Sequence, residues 1–127
     1  MTVYLVVAAS MFTINKASAQ ISALAKTNWV GVAYVPTELS VKFSFGVDTL
    51  KLLMADNNLV LETMTYRLSN DTLFIKKQSG NSSCDTNQEG IYRVAVKEKL
   101  LTIVPISDPC ADRISAFSTA GYIRADD

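Results

Sequence analysis

The chain contains no histidine. That absence excludes Ser–His and Cys–His nucleophile pairs, imidazole acid–base catalysis and every histidine-liganded metal site. Cysteine is almost as scarce: Cys84 and Cys110 are the only two, and two thiolates cannot complete a zinc site unless several carboxylates join them. No metal is expected. The five glycines form no phosphate-cradling loop, so nucleotide chemistry is not indicated and no cofactor is expected. Charge of either sign is not in excess, because twelve Lys and Arg stand against twelve Asp and Glu. Binding to a phosphate backbone draws on surplus positive charge, so no nucleic-acid partner is expected. What is present is a chain of 127 residues, 49% hydrophobic and 9% aromatic. That is enough for one domain with a core and too little for two.

The apolar run Val3 to Phe12 has the length of a signal-peptide core and falls short of the roughly 20 residues a transmembrane helix needs. It leads to Ala17-Ser18-Ala19-Gln20, a small-x-small cleavage pattern. The expected organisation is a signal peptide over residues 1–19 and one domain over residues 20–127, secreted or periplasmic. After cleavage no stable membrane insertion is expected, and no cysteine stands at the cleavage point to carry a lipid. No Lys or Arg precedes the run, and the alternative is an amphipathic helix packed on the domain.

Cys84 and Cys110 both lie in polar, turn-rich stretches, Asn81 to Asp85 and Asp108 to Asp112. In an oxidising compartment an even pair reads as one disulfide. Closing that loop is worth about 3.5 kcal/mol by chain entropy. The alternative is a free thiol, for which no adjacent basic activator is present.

From Trp29 onward the hydrophobic period is two. Val41, Phe43 and Phe45 alternate with Lys42 and Ser44, and Leu50, Leu52 and Met54 continue the pattern as far as Asp56-Asn57-Asn58. Leu59 to Thr65 forms a further strand, Tyr66-Arg67-Leu68 leads into Ser69-Asn70-Asp71, and Leu73 to Ile75 returns from it. Gly90 to Val96 and Leu100 to Ile106 follow, separated by the charged tip Lys97-Glu98-Lys99. These turn clusters are hairpin signals. With Trp29–Val35 at the front and Tyr122–Arg124 at the back, the expectation is an all-β, antiparallel, up-and-down barrel of eight to nine strands, since closure removes exposed edges. A short C-terminal helical turn is expected after Asp108 as N-cap and Pro109 at the first position, with Ile114 and Phe117 sharing one face.

The residues Trp29-Val30-Gly31, Cys84 ahead of Gly90-Ile91-Tyr92-Arg93-Val94, then Leu101-Thr102-Ile103 and Asp108-Pro109-Cys110-Ala111-Asp112-Arg113 resemble small bacterial secreted lipocalin-like domains of the calycin group. The resemblance runs from Thr27 to Arg124. Where lipocalins carry Gly-x-Trp on the first strand, this chain has Trp29-Val30-Gly31. The resemblance implies that Trp29 closes the barrel base and that an arginine packs across it. Arg113 is the first candidate and Arg124 its rival, for a cation–π contact of about 0.5–2 kcal/mol.

A barrel of eight strands is just wide enough to be filled by side chains or to hold one small ligand. Inward candidates for a ligand lining are Phe43, Phe45, Leu52, Met54, Tyr66, Ile75, Tyr92 and Ile103, a set suited to a small apolar molecule, with the two tyrosines fixing its orientation. The domain is expected to be a monomeric binding protein and not an enzyme. The alternatives are a filled structural or protein-interaction barrel, with Leu53, Val60, Met64 and Phe74 forming an outer apolar patch, and a cyclase- or isomerase-type enzyme. Catalysis calls for a perturbed carboxylate inside the barrel. Glu62 falls out of phase with Leu59 and Leu61 and is expected to face solvent, while Asp108 and Asp112 are expected to serve as a helix cap and a partner for Arg113.

Overall fold

A computed structural model of the chain describes residues 24–125. The expected signal peptide lies outside the described residues. Eight strands follow in chain order: β1 Thr27–Tyr34, β2 Glu38–Phe45, β3 Thr49–Met54, β4 Val60–Ser69, β5 Thr72–Gly80, β6 Glu89–Lys97, β7 Leu100–Ser107 and β8 Tyr122–Ala125. One short helix, α1, spans Ala111–Ala116 between β7 and β8. Each strand pairs antiparallel with its neighbour in sequence, and β8 returns to β1, so the described strands form a closed up-and-down barrel. The alternation read from the sequence is what the barrel uses. Val41, Phe43 and Phe45 on β2 sit opposite Met54, Leu52 and Leu50 on β3, and all but Met54, which is half-buried, are enclosed.

Strand directions place the two ends of the barrel. One end carries the tight turns Gly46–Asp48, Asn70–Asp71 and Glu98–Lys99 together with the start of β1. Asn70 and Glu98 take left-handed backbone there, with φ of 56° and 59°, the conformation that reverses a strand in two residues. The other end carries the longer connections 55–59, 81–88 and 108–121.

The tight-turn end is closed and filled. Trp29 is buried, and its indole N–H donates to Thr27 Oγ1 at 2.8 Å. Thr27 Oγ1 in turn donates to the Leu24 carbonyl at 2.5 Å, with Leu24 buried beneath. The cation over the Trp29 ring is Arg124, 5.8 Å from the centroid, which corrects the assignment of Arg113 to that place. The reason is register: Arg124 lies directly beside Trp29 in the β1–β8 pairing, whereas Arg113 is at the opposite end on α1. Phe45 meets Tyr66 edge-on at 5.2 Å, and Tyr66 donates its hydroxyl to the Gly46 carbonyl at 2.5 Å. Leu50, Leu73, Ile75 and Leu101 complete this packing with no measurable exposure.

Three expectations about the outside and the helix change. The outer apolar patch does not form: Met64 points inward, Leu53 is buried, and Phe74 is covered by the Arg67 guanidinium at 3.7 Å from its ring centroid. Helix α1 begins after Cys110 with no side-chain cap. Asp108 accepts instead from the Cys110 N–H at 2.9 Å, fixing the turn just before the helix. Ile114 is exposed, and Phe117, beyond the last helical residue, packs on the core alone.

Candidate functional site

The disulfide between Cys84 and Cys110 is present, with Cα atoms 5.4 Å apart. It joins the β5–β6 connection to the start of α1, so two of the longer connections are tied together at the open end.

Between those connections and the barrel wall lies a cavity of about 600 Å³. Phe43, Leu52 and Met64 bound it from β2, β3 and β4, and Phe117 enters from the end of α1. Phe117 stacks on Phe43 at 5.5 Å and meets Tyr92 edge-on at 4.9 Å. Tyr34, Leu39 and Leu61 form the rim on one side. Most of the wall is apolar, as the interior of a barrel with alternating strands must be.

Of the eight lining candidates, Phe43 and Leu52 face this cavity. Phe45, Tyr66, Ile75, Tyr92 and Ile103 are packed into the core, and Met54 is half-buried at the end of β3 outside the cavity wall. The cavity is therefore a cup over a filled base.

Two charged residues that alternation did not place here stand in the cup wall. Glu62 is 8% exposed and lines the cavity, contrary to the expectation that it faces solvent. The physical reason is a bulge. Leu52 pairs with Glu62, but the next residue, Leu53, pairs with Val60, so Leu61 is the extra residue in β4. The bulge shifts the phase by one, and from there Glu62, Met64 and Tyr66 point inward together. The Ser82 hydroxyl donates to Glu62 Oε2, and the Ser82 backbone N–H lies 3.4 Å from Oε1. Gly80, paired with Glu62 across β4–β5, adopts φ of +137°. A Cβ at Gly80 would stand 1.8 Å from Glu62 Oε1 and 2.9 Å from the Leu61 carbonyl oxygen, so a larger residue there would displace the carboxylate from this position.

Arg113 is 7% exposed, and its partner is Asp108, not Asp112. Arg113 Nε donates to Asp108 Oδ2 at 2.6 Å and Nη2 to Oδ1 at 2.8 Å, while Nη2 also reaches the Gln88 carbonyl at 2.9 Å. Nη1 has no hydrogen-bond partner among the described residues. The Tyr92 hydroxyl donates to Asp108 Oδ2. Burial works against the Asp108 charge, but hydrogen bonds from Arg113, Tyr92 and the Cys110 N–H outweigh it and hold the carboxyl below its usual range. Burial first, and then Asp108, push the Tyr92 phenol well above its ordinary value. Asp112 accepts from the Ser83 hydroxyl at 2.5 Å and also borders the cup. Among the described residues no group of three or more metal-ligating side chains converges.

Glycine after a polar stretch, as in Ser79-Gly80-Asn81-Ser82, was the one sequence signal that something close-packed passes there. Comparisons with protein-family models, with curated proteins and with solved structures give no match.

Proposed function

We propose that this chain is a lipocalin-like carrier, secreted or periplasmic and monomeric, that holds a small apolar molecule in the cup at the open end of its barrel. The observation that carries this is the cup itself: about 600 Å³, inside the ~300–1,000 Å³ typical of small-molecule sites, with mainly apolar walls and a few placed polar groups. The disulfide suits an oxidising compartment, and among the described residues no helix is long and apolar enough to cross a membrane.

Glu62 favours a second use of the same cup, acid–base chemistry on the bound molecule. Binding without turnover is the better account, because the groups around Glu62 are already committed. Ser82 holds Glu62, Ser83 holds Asp112, and Arg113 is locked to Asp108.

The test is native mass spectrometry of the chain exported to an oxidising periplasm and purified without detergent. The intact mass reports cleavage after Ala19 and the two protons lost to the disulfide. Non-covalent adducts of a few hundred daltons, of the size a ~300–1,000 Å³ pocket takes, support a carrier and identify the ligand class. A bare spectrum that stays bare after addition of fatty acids, fatty alcohols, fatty amines and isoprenoids overturns it in favour of a barrel that works through a protein partner.

A further inference from the structure

Resting on the carrier function proposed above, we infer that the molecule held in the cup is an apolar amine, and that Glu62 is the residue that selects its ammonium head. A carboxylate turned into an apolar wall is expensive unless it is paired, since burial strips its hydration. Glu62 has no ion pair among the described residues and only Ser82 as a hydrogen-bond partner. The fold nevertheless goes to some length to hold it there: a bulge turns it inward, and a glycine in left-handed backbone clears the space beside it. Tying the β5–β6 connection to β4 does not by itself call for a charge. A glutamine oxygen would still accept from the Ser82 hydroxyl and give up only the 3.4 Å contact with the Ser82 N–H. A charge held in place without a counter-ion is suited to receive one.

The other charged groups at the cup point the same way. Asp112 adds a second negative charge at the border. The Arg113 guanidinium is already neutralised by the two-pronged contact with Asp108. Lys77 sends its ammonium to the Ser82 carbonyl, 2.7 Å away, and does not line the cavity. The balance facing an occupant is therefore negative, which attracts a cation and repels a fatty carboxylate. Below Glu62 the wall of Phe43, Leu52 and Met64, closed by Phe117, takes the apolar body.

The experiment is calorimetric titration of the full, disulfide-bonded chain with decylamine, decanol and decanoate, which share one tail and differ only in the head. A charge-assisted hydrogen bond at Glu62 predicts that the amine binds on the order of tenfold to a hundredfold more tightly than the alcohol, with the carboxylate weakest. In Glu62→Gln the ratio of amine to alcohol affinity falls to within about threefold, which is less than 1 kcal/mol, whereas Glu98→Gln at the closed end leaves the ratio unchanged. Circular dichroism and measurable alcohol binding show that the Gln variant is folded. Equal affinities for all three heads overturn the amine inference and leave the carrier standing. A preference for decanoate overturns it and transfers head recognition to Arg113, whose Nη1 has no partner among the described residues. Failure of all three tails to bind overturns the carrier function and the amine inference together.

Discussion

At the closed end of the barrel the strands turn within a few residues and side chains fill the interior; at the mouth the connections lengthen and the interior is hollow. The two ends are also held by different forces. Phe45, Leu50, Leu73 and Leu101 secure the closed end by burial and close packing. The mouth has a cavity where that packing would be, and it relies on a disulfide, a buried ion pair and the Ser82–Glu62 contact. A hollow region forgoes the contacts that normally stabilise a core, so covalent and polar links replace them. The connections they tie are 81–88 and 108–121, the two longest.

The largest effect expected from this contrast is in the closed end. Phe45→Ala removes a ring that is 1% exposed and packed edge-on against Tyr66, and is expected to cost about 3–5 kcal/mol through lost burial and a new cavity. Leu61→Ala at the rim removes a half-buried side chain beside space that is already empty, for about 1 kcal/mol. Urea denaturation at constant m measures both. Equal losses at the two sites would mean that the cup is packed as tightly as the base.

Next is the disulfide. The double variant Cys84→Ala, Cys110→Ala opens a loop with a sequence separation of 26 and is expected to lower stability by about 3.5 kcal/mol. Amide exchange separates the ends more sharply than the midpoint does. Residues 81–88 and α1 should open by local fluctuations, while the amides of Phe43, Phe45 and Leu50 should still exchange only by global unfolding.

Asp108→Asn comes third, at about 3 kcal/mol, because it leaves the Arg113 charge buried without its counter-ion. Its signature is in the pH profile. The Asp108 carboxyl is held below its ordinary value, so its contribution is present above the pH at which the unfolded carboxyl titrates and is lost as pH falls through the lower folded-state value. The Asn variant should lose less stability than the parent in that acid window. Tyr66, Tyr92 and Tyr122 behave in the opposite sense. Burial raises each of them above 10.0, so their contribution is present below pH 10 and declines above it, as the unfolded chain ionises first. Tyr92→Phe should flatten that alkaline decline, read by urea midpoints across the range.

The parts of the molecule that sequence makes legible are those set by local pattern. Alternation around Val41 to Met54, and turn clusters at Asn70 and Glu98, are enough to imply a meander that closes. Two cysteines in turns are enough to imply their pairing. Glu62 was not legible, because the bulge at Leu61 inverts the phase without any compositional mark, and Leu59-Val60-Leu61 reads as an uninterrupted strand. Asp108 reads as a helix cap because Pro109 follows it, yet its role is decided by Arg113, five residues on and turned back by the helix, and by Tyr92 from β6. Gly90 is part of that arrangement: a Cβ there would stand 2.4 Å from Asp108 Oδ2. Whether a barrel has a cup is also a long-range matter, settled here by where Phe117 comes to rest.

The smallest effect gives the cleanest comparison, because one arginine stands at each end. Arg124 is exposed and lies over the Trp29 ring at 5.8 Å, a contact worth about 0.5–1 kcal/mol at an exposed site. Arg124→Ala should cost that much and shift the emission of Trp29, the only tryptophan. Arg113→Lys keeps a charge near Asp108 but loses the fork that engages both carboxylate oxygens, so it should cost more and leave Trp29 emission in place. If Arg113→Lys instead moves the tryptophan signal and Arg124→Ala does not, then the two arginines have exchanged ends. The register that sets Trp29 beside Arg124, and with it the division into a filled base and a cross-linked mouth, would then be wrong.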